Sequence, residues 1–155
     1  LRLRDQGGWV REVVSHFVFL ADRLLGPLAL ENCHVQYEDG PNGSLSEQTA
    51  LAVFSSQTVP LTLAGTSRGQ GPDVVDLTLR GTAGSLRVWD WYRLQAADTN
   101  DWVDIFPATR EQLGVDAYSA QLHQIERMVN GDYHTIATFD EALRVQELVE
   151  SLLSS

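Results

Sequence analysis

The sequence contains a single cysteine, Cys33. One thiol cannot close an internal disulfide, so a disulfide-stapled secreted scaffold has no support and a reducing compartment, the cytoplasm, is expected. Basic residues are also few, 11 against 21 acidic, for a formal charge of -10. A surface of that sign repels a phosphate backbone and anionic lipid headgroups, which argues against nucleic acid and membranes as partners. No apolar run approaches the roughly 20 residues that span a bilayer. Three chemical signatures are missing too: G-x-G-x-x-G between a strand and a helix, a phosphate loop ending in Gly-Lys-Ser/Thr, and the G-x-S-x-G elbow of serine hydrolases. The chain therefore carries no nucleotide cradle in its sequence. His34, His123 and His134 lack zinc-site spacing, and Cys33 and His34 point to opposite faces if they lie on a strand, so no metal is expected. The segment Leu1 to Gly8 lacks the features of a signal peptide. Residue 1 is Leu rather than Met, which suggests an excised piece of a longer protein.

What is present suits one globular domain: 155 residues, 43 % of them hydrophobic, are enough to bury a core. From Trp9 to Leu25 the residues Trp9, Val10, Val13, Val14, Phe17, Leu20, Leu24 and Leu25 follow helical spacing, and Gly26-Pro27 ends the pattern. Beyond Pro27 the period drops towards two, which predicts strands over Leu28 to Glu38, Gln48 to Ser55, Val59 to Thr66, Val74 to Arg80 and Ser85 to Leu94. Turn chemistry separates them at Asp39-Gly40-Pro41-Asn42-Gly43, Ser67 to Pro72 and Gly81-Thr82-Ala83-Gly84. Gln95 to Pro107 reads as irregular or briefly extended. Helical spacing returns from Thr109, through Leu113, Ala117, Leu122, Ile125 and Val129, and stops at Asn130-Gly131. A last helix follows, capped by Thr138 with Glu141 three residues on, its apolar face made by Ala142, Val145, Leu148, Val149 and Leu152. Helix, strands, helix, helix predicts an α+β domain: an open, predominantly antiparallel sheet with helices packed on one face.

Two groups of residues invite a chemical reading. Glu12 and His16 stand four residues apart on the first helix, so both project from one face. A carboxylate that orients an imidazole makes a general acid or base for chemistry at a hydroxyl or carbonyl. The same pair is equally a surface contact worth a few tenths of a kcal/mol. Trp89, Trp91, Tyr92 and Trp102 concentrate aromatic area, with Trp89 and Trp91 expected on one strand face and Val88 on the other. Core packing, a subunit interface and a ligand platform all remain open for them.

The opening GGWVREVVSHFVFLADRLLG resembles the start of the C-terminal domain in the glucose-fructose oxidoreductase, inositol dehydrogenase and rhizopine catabolism family (Gfo/Idh/MocA). There a glycine run precedes a helix carrying Asp, three residues, then His, and a Leu-Leu-Gly-like stop. DLTLRGTAGSLRV is similar to a strand, turn and strand of the same family, and DAYSAQLHQIERMVNGD with TIATFDEALRVQELVESLLSS to its last two helices. The likeness runs in order over nearly the whole chain.

The resemblance implies a substrate-side domain of an NAD- or NADP-dependent oxidoreductase acting on a sugar, polyol or related hydroxyl or carbonyl compound. It makes His16 the proton acceptor and Glu12 its positioning partner, with Asp116 and Tyr118 as further substrate-site residues. It also implies a dinucleotide-binding domain with a catalytic Lys outside this chain, no cofactor bound to the chain itself, and a homodimer or larger homo-oligomer formed through the sheet face. The sequence departs from the family pattern in a glycine run shortened to Gly7 and Gly8 after Gln6, in Glu12 where Asp is usual, in Val14 where a small residue is usual, and in Phe19 where Asp is frequent. Those departures motivate an alternative: a non-catalytic ligand-binding or assembly module that kept the fold.

Overall fold

The computed structural model describes residues 7–38, 45–57, 59–98 and 100–154. The turn expected at Asp39 to Gly43, and Gln6 with the residues before it, lie outside that set. Contacts divide the chain into two compact units, one of Leu1–Gln70 with Ala137–Ser155, the other of Gly71–Ile136.

In the first unit, Val10, Val14, Val18 and Ala21 recur at steps of four, four and three, and all are buried. The chain there opens as a π-turn, Val10–Val14, and continues as α1, Ser15–Leu25. Gly26 stops α1 with a positive φ of 88°, a conformation that glycine adopts at no steric cost. Buried Asp22 closes this end of the helix: it accepts the Leu28 amide at 3.0 Å and the Arg144 guanidinium at 3.1 Å. Strands β1 (Ala29–Tyr37), β2 (Glu47–Ser56) and β3 (Val59–Thr66) follow, paired antiparallel in that order. Along central β2 the residues alternate: Ala50, Ala52 and Phe54 are buried, while Leu51 and Val53 are exposed on the other face. The last helix, α3 (Phe139–Leu153), brings Val145, Val149, Leu152 and Leu153 into the same core as α1. Its capping box is present as expected: Thr138 Oγ1 accepts the Glu141 amide at 3.2 Å, and the Glu141 carboxylate accepts the Thr138 amide at 2.8 Å.

The second unit holds β4 (Asp76–Gly81), β5 (Gly84–Trp89), β6 (Arg93–Ala97), β7 (Val103–Asp104) and α2 (Arg110–Val129). The four strands pair antiparallel in sequence order. The architecture is α+β with antiparallel pairing throughout, and the strands divide into a three-stranded and a four-stranded sheet.

Two sequence expectations are corrected here. Ser85 to Leu94 is two strands, because Asp90 and Trp91 both take positive φ, 47° and 69°, and reverse the chain. Trp91 therefore sits in the turn and shares no strand face with Trp89. The segment from Gln95 is briefly extended, one of its two readings, with Gln95 opposite Asp104 and Ala96 opposite Val103. Its polar side chains hid the pattern, because they pair across the sheet rather than facing water.

Candidate functional site

Glu12 lies in the π-turn and His16 in the first turn of α1, and both side chains are exposed. One continuous helical segment therefore presents the expected pair at the surface of the first unit. Its immediate surroundings are built by charge pairing. Arg11 donates to both oxygens of Glu150, at 2.7 and 2.8 Å, and to the Gly7 carbonyl at 3.0 Å. The hydrogen bond to Glu150 raises the Arg11 pKa, and the same bond holds Glu150 below the usual carboxylate range.

The glycine pair before the helix has a specific structural reason. Gly8 has φ of 110°, and a Cβ there would fall on the Glu47 carboxylate. Glu47 is almost fully buried, and its Oε1 accepts the Val10 amide at 2.7 Å. Its backbone carbonyl accepts Trp9 Nε1 and Ser67 Oγ, each at 3.1 Å. A carboxylate thus occupies the amide-rich helix N-terminus, where a free amide cluster would attract an anion. That arrangement does not suit a pyrophosphate. The other positive-φ glycines, Gly26, Gly71, Gly84 and Gly131, do not open a helix after a strand. Among the described residues, no positive-φ glycine opens a helix after a strand in the way a pyrophosphate cradle requires.

Two of the departures from the family pattern acquire a role in packing. Val14 is buried in the core. Phe19 packs against that core, with the Arg23 guanidinium 5.0 Å from its ring centroid. Asp116 and Tyr118 belong to α2 of the second unit, and both are exposed. Asp116 Oδ1 accepts Gln112 Nε2 at 2.8 Å.

Among the remaining histidines, exposed His34 stands on β1 beside half-buried Cys33, His123 Nδ1 lies 3.6 Å from a Glu126 oxygen, and His134 Nδ1 is buried with no hydrogen-bond partner among the described residues. No group of three His, Cys, Asp or Glu side chains among the described residues could hold a metal ion. None of the described helices is long and apolar enough to cross a membrane.

Two of the aromatic side chains of the second unit lie against one guanidinium. Arg87 lies 5.1 Å from the Trp89 ring centroid and 4.5 Å from that of Trp102. Arg87 Nε donates to Gln95 Oε1 at 2.5 Å, Gln95 Nε2 to Asp104 Oδ1 at 2.7 Å, and Arg93 to Asp104 Oδ2 at 2.6 Å. The bond from Gln95, reinforced by Arg93, holds Asp104 below the usual range for an aspartate. A cleft of about 270 Å³ opens beside this ladder, lined by Arg80, the turn from Gly81 to Gly84, Asp98 and Trp102 among others. Sequence reasoning missed Glu47 and Ser15, the residues that shape the start of the helix, and neither sits in a motif that could have revealed it.

No family model matches the chain, and no curated protein matches it. Solved structures do. A dehydrogenase (MviM) from Clostridium difficile superposes with a TM-score of 0.71 at 14 % identity, over 94 % of this chain and 47 % of its own. The chain has the C-terminal domain fold of the Gfo/Idh/MocA dehydrogenases. An oxidoreductase from Agrobacterium radiobacter, solved with NAD+, L-tartaric acid and magnesium, gives 0.63 at 18 %, over 94 % and 46 %. The WlbA dehydrogenase from Bordetella pertussis, solved with NADH and UDP-GlcNAcA, gives 0.70 at 18 %, over 96 % and 45 %. The chain thus spans less than half the length of each of these proteins.

Proposed function

We propose that this chain is the substrate-binding and oligomerisation domain of an NAD- or NADP-dependent oxidoreductase that acts on a sugar, polyol or related hydroxyl or carbonyl compound. The observation that carries the reading is the likeness of 94 % or more of the chain to less than half of each of three dehydrogenases. Two of those were solved with NAD+ or NADH, one of them also with UDP-GlcNAcA. The dinucleotide, which supplies the hydride chemistry, is held by a domain outside this chain, in keeping with the carboxylate-filled helix N-terminus at Gly8.

The chain's own contribution is proton handling and substrate orientation. His16 exchanges a proton with the reacting hydroxyl or carbonyl, and Glu12 orients the imidazole. Asp116 and Tyr118 are secondary substrate-contacting residues. The open face of the β1–β3 sheet, with Leu51 and Val53 exposed, is the surface for a homodimer or larger homo-oligomer. The single thiol agrees with a cytoplasmic protein.

The test is an assay of the intact protein for nicotinamide reduction or oxidation against panels of polyols, sugars, sugar acids and nucleotide sugars. Turnover with a member of these classes is the expected result. Absence of turnover, with tight binding of such a compound retained, would favour a non-catalytic binding module instead.

A further inference from the structure

Arg80, Ser85 and Ala97 stand opposite one another across β4, β5 and β6. Next to this row Gly81 faces Gly84, and neither adds a side chain. Gly84 has φ of 149°, and a Cβ there would lie 3.2 Å from the Ala97 carbonyl oxygen, so glycine lets the hairpin end run this close to β6. The cleft of about 270 Å³ opens at this end of the sheet, where serine, alanine and two glycines leave room. Its volume falls just below the range of about 300–1,000 Å³ taken by drug-sized ligands, which suits a molecule of one ring.

The side chains around the cleft differ in chemistry. Arg80 offers a fork of N–H donors, Asp98 two acceptor oxygens, and Asn100 both donors and an acceptor. Exposed Arg80 takes part in no ion pair or ring contact among the described residues. Trp102 adds an indole ring, steadied by the Arg87 guanidinium 4.5 Å from its centroid, and Arg87 is itself tied to Gln95. A simple anion would meet the Asp98 carboxylate and a simple cation would meet Arg80, so the mixed charges select neither. A sugar ring fits all four groups. Its hydroxyls both donate and accept, in pairs that match the planar guanidinium, carboxylate and carboxamide, and its C–H face packs on an indole.

We propose that this cleft is a saccharide-binding site of the second unit, with Trp102 as the platform for one pyranose ring and Arg80, Asp98 and Asn100 as its hydrogen-bonding partners. The site goes beyond the role proposed for Glu12 and His16, and its readout is binding rather than turnover.

The test is a titration of the intact protein, isotope-labelled at tryptophan and glycine nitrogen and free of nicotinamide, with the methyl α-pyranosides of glucose, mannose and galactose. With at least one of them the Trp102 indole N–H signal, identified by its loss in Trp102→Ala, should shift together with the Gly81 and Gly84 amides. The shifts should saturate with a Kd on the order of 1 mM, as expected for one ring on an open site. Arg80→Ala removes an exposed side chain and should weaken binding about tenfold, and Trp102→Ala should abolish the glycine shifts. Shifts that never saturate, that are absent with all three glycosides, or that keep the parent Kd in both variants would overturn the site. Saturation by free alanine, a zwitterion matched to Arg80 and Asp98 alone, in place of the glycosides would overturn it too.

Discussion

The two units reach order by different means. The first builds an apolar core from both helices and the sheet, with Val10, Ala21, Ala50, Phe54, Val149 and Leu152 nearly or fully buried. The second buries Leu77 and Leu113, and it leaves Val103, Tyr118, Leu122 and Val129 exposed. Its sheet is held by backbone pairing and by a ladder of Arg87, Gln95, Asp104 and Arg93 over two indole rings. A core gains in proportion to the apolar area it removes from water, whereas a polar hydrogen bond on a half-buried sheet face contributes little net. The proposed proton-handling pair stands on the unit with the core, so its backbone has a rigid base.

Mutations that test this contrast should differ in size. Phe54→Ala empties the centre of the first core and should cost about 3–5 kcal/mol, read as a shift in the denaturant midpoint with hydrogen exchange assigning the loss to the first unit. A cost near that of a surface change would refute the packing described. Arg87→Ala removes two ring contacts and one hydrogen bond in the second unit and should cost about 1–2 kcal/mol, visible in the fluorescence of Trp89 and Trp102. A loss as large as that of Phe54→Ala would place the stability of the second unit in the ladder and erase the contrast.

The smallest effect is acidic. Glu141, held low first by the Thr138 amide and then by Arg23, and Glu150, held low by Arg11, both belong to the first unit, and Asp104 belongs to the second. Each has a folded pKa below its unfolded one, so its contribution is complete above the unfolded value, 4.5 for the glutamates and 3.8 for the aspartate, and is lost as pH falls through the folded value. Thermal melts taken from neutral pH down to about pH 3 should show Tm falling below these values, less steeply in Glu150→Gln. A Tm profile in Glu150→Gln parallel to the parent would remove Arg11–Glu150 from the account.

The parts legible in the sequence are those fixed by local chemistry. Thr138 and Glu141 announce their own capping box, Gly26-Pro27 ends α1, and the alternation in β2 exposes Leu51 and Val53 as its pattern requires. The turn at Asp90 and Trp91 was not legible, because an aromatic run favours a strand and neither residue usually takes positive φ. Every strand pairs with its neighbour in sequence except across the break between β3 and β4, and in the sequence that junction reads as one more turn within a single sheet. At the site, the exposure of Glu12 and His16 on the first helical segment agrees with their absence from its apolar stripe. The π-turn that contains Glu12 was not legible: its first residue donates its amide to Glu47, 35 residues beyond Glu12, and no local pattern announces that contact.

The most direct test of the central claim is the turnover of the intact protein carrying His16→Ala, measured beside its affinity for NAD or NADP. If His16 handles the substrate proton, kcat falls by about 100-fold while cofactor affinity stays at the parent value. Turnover equal to that of the parent would contradict the role of His16 and leave Glu12 and His16 as a surface pair on a dehydrogenase-like fold.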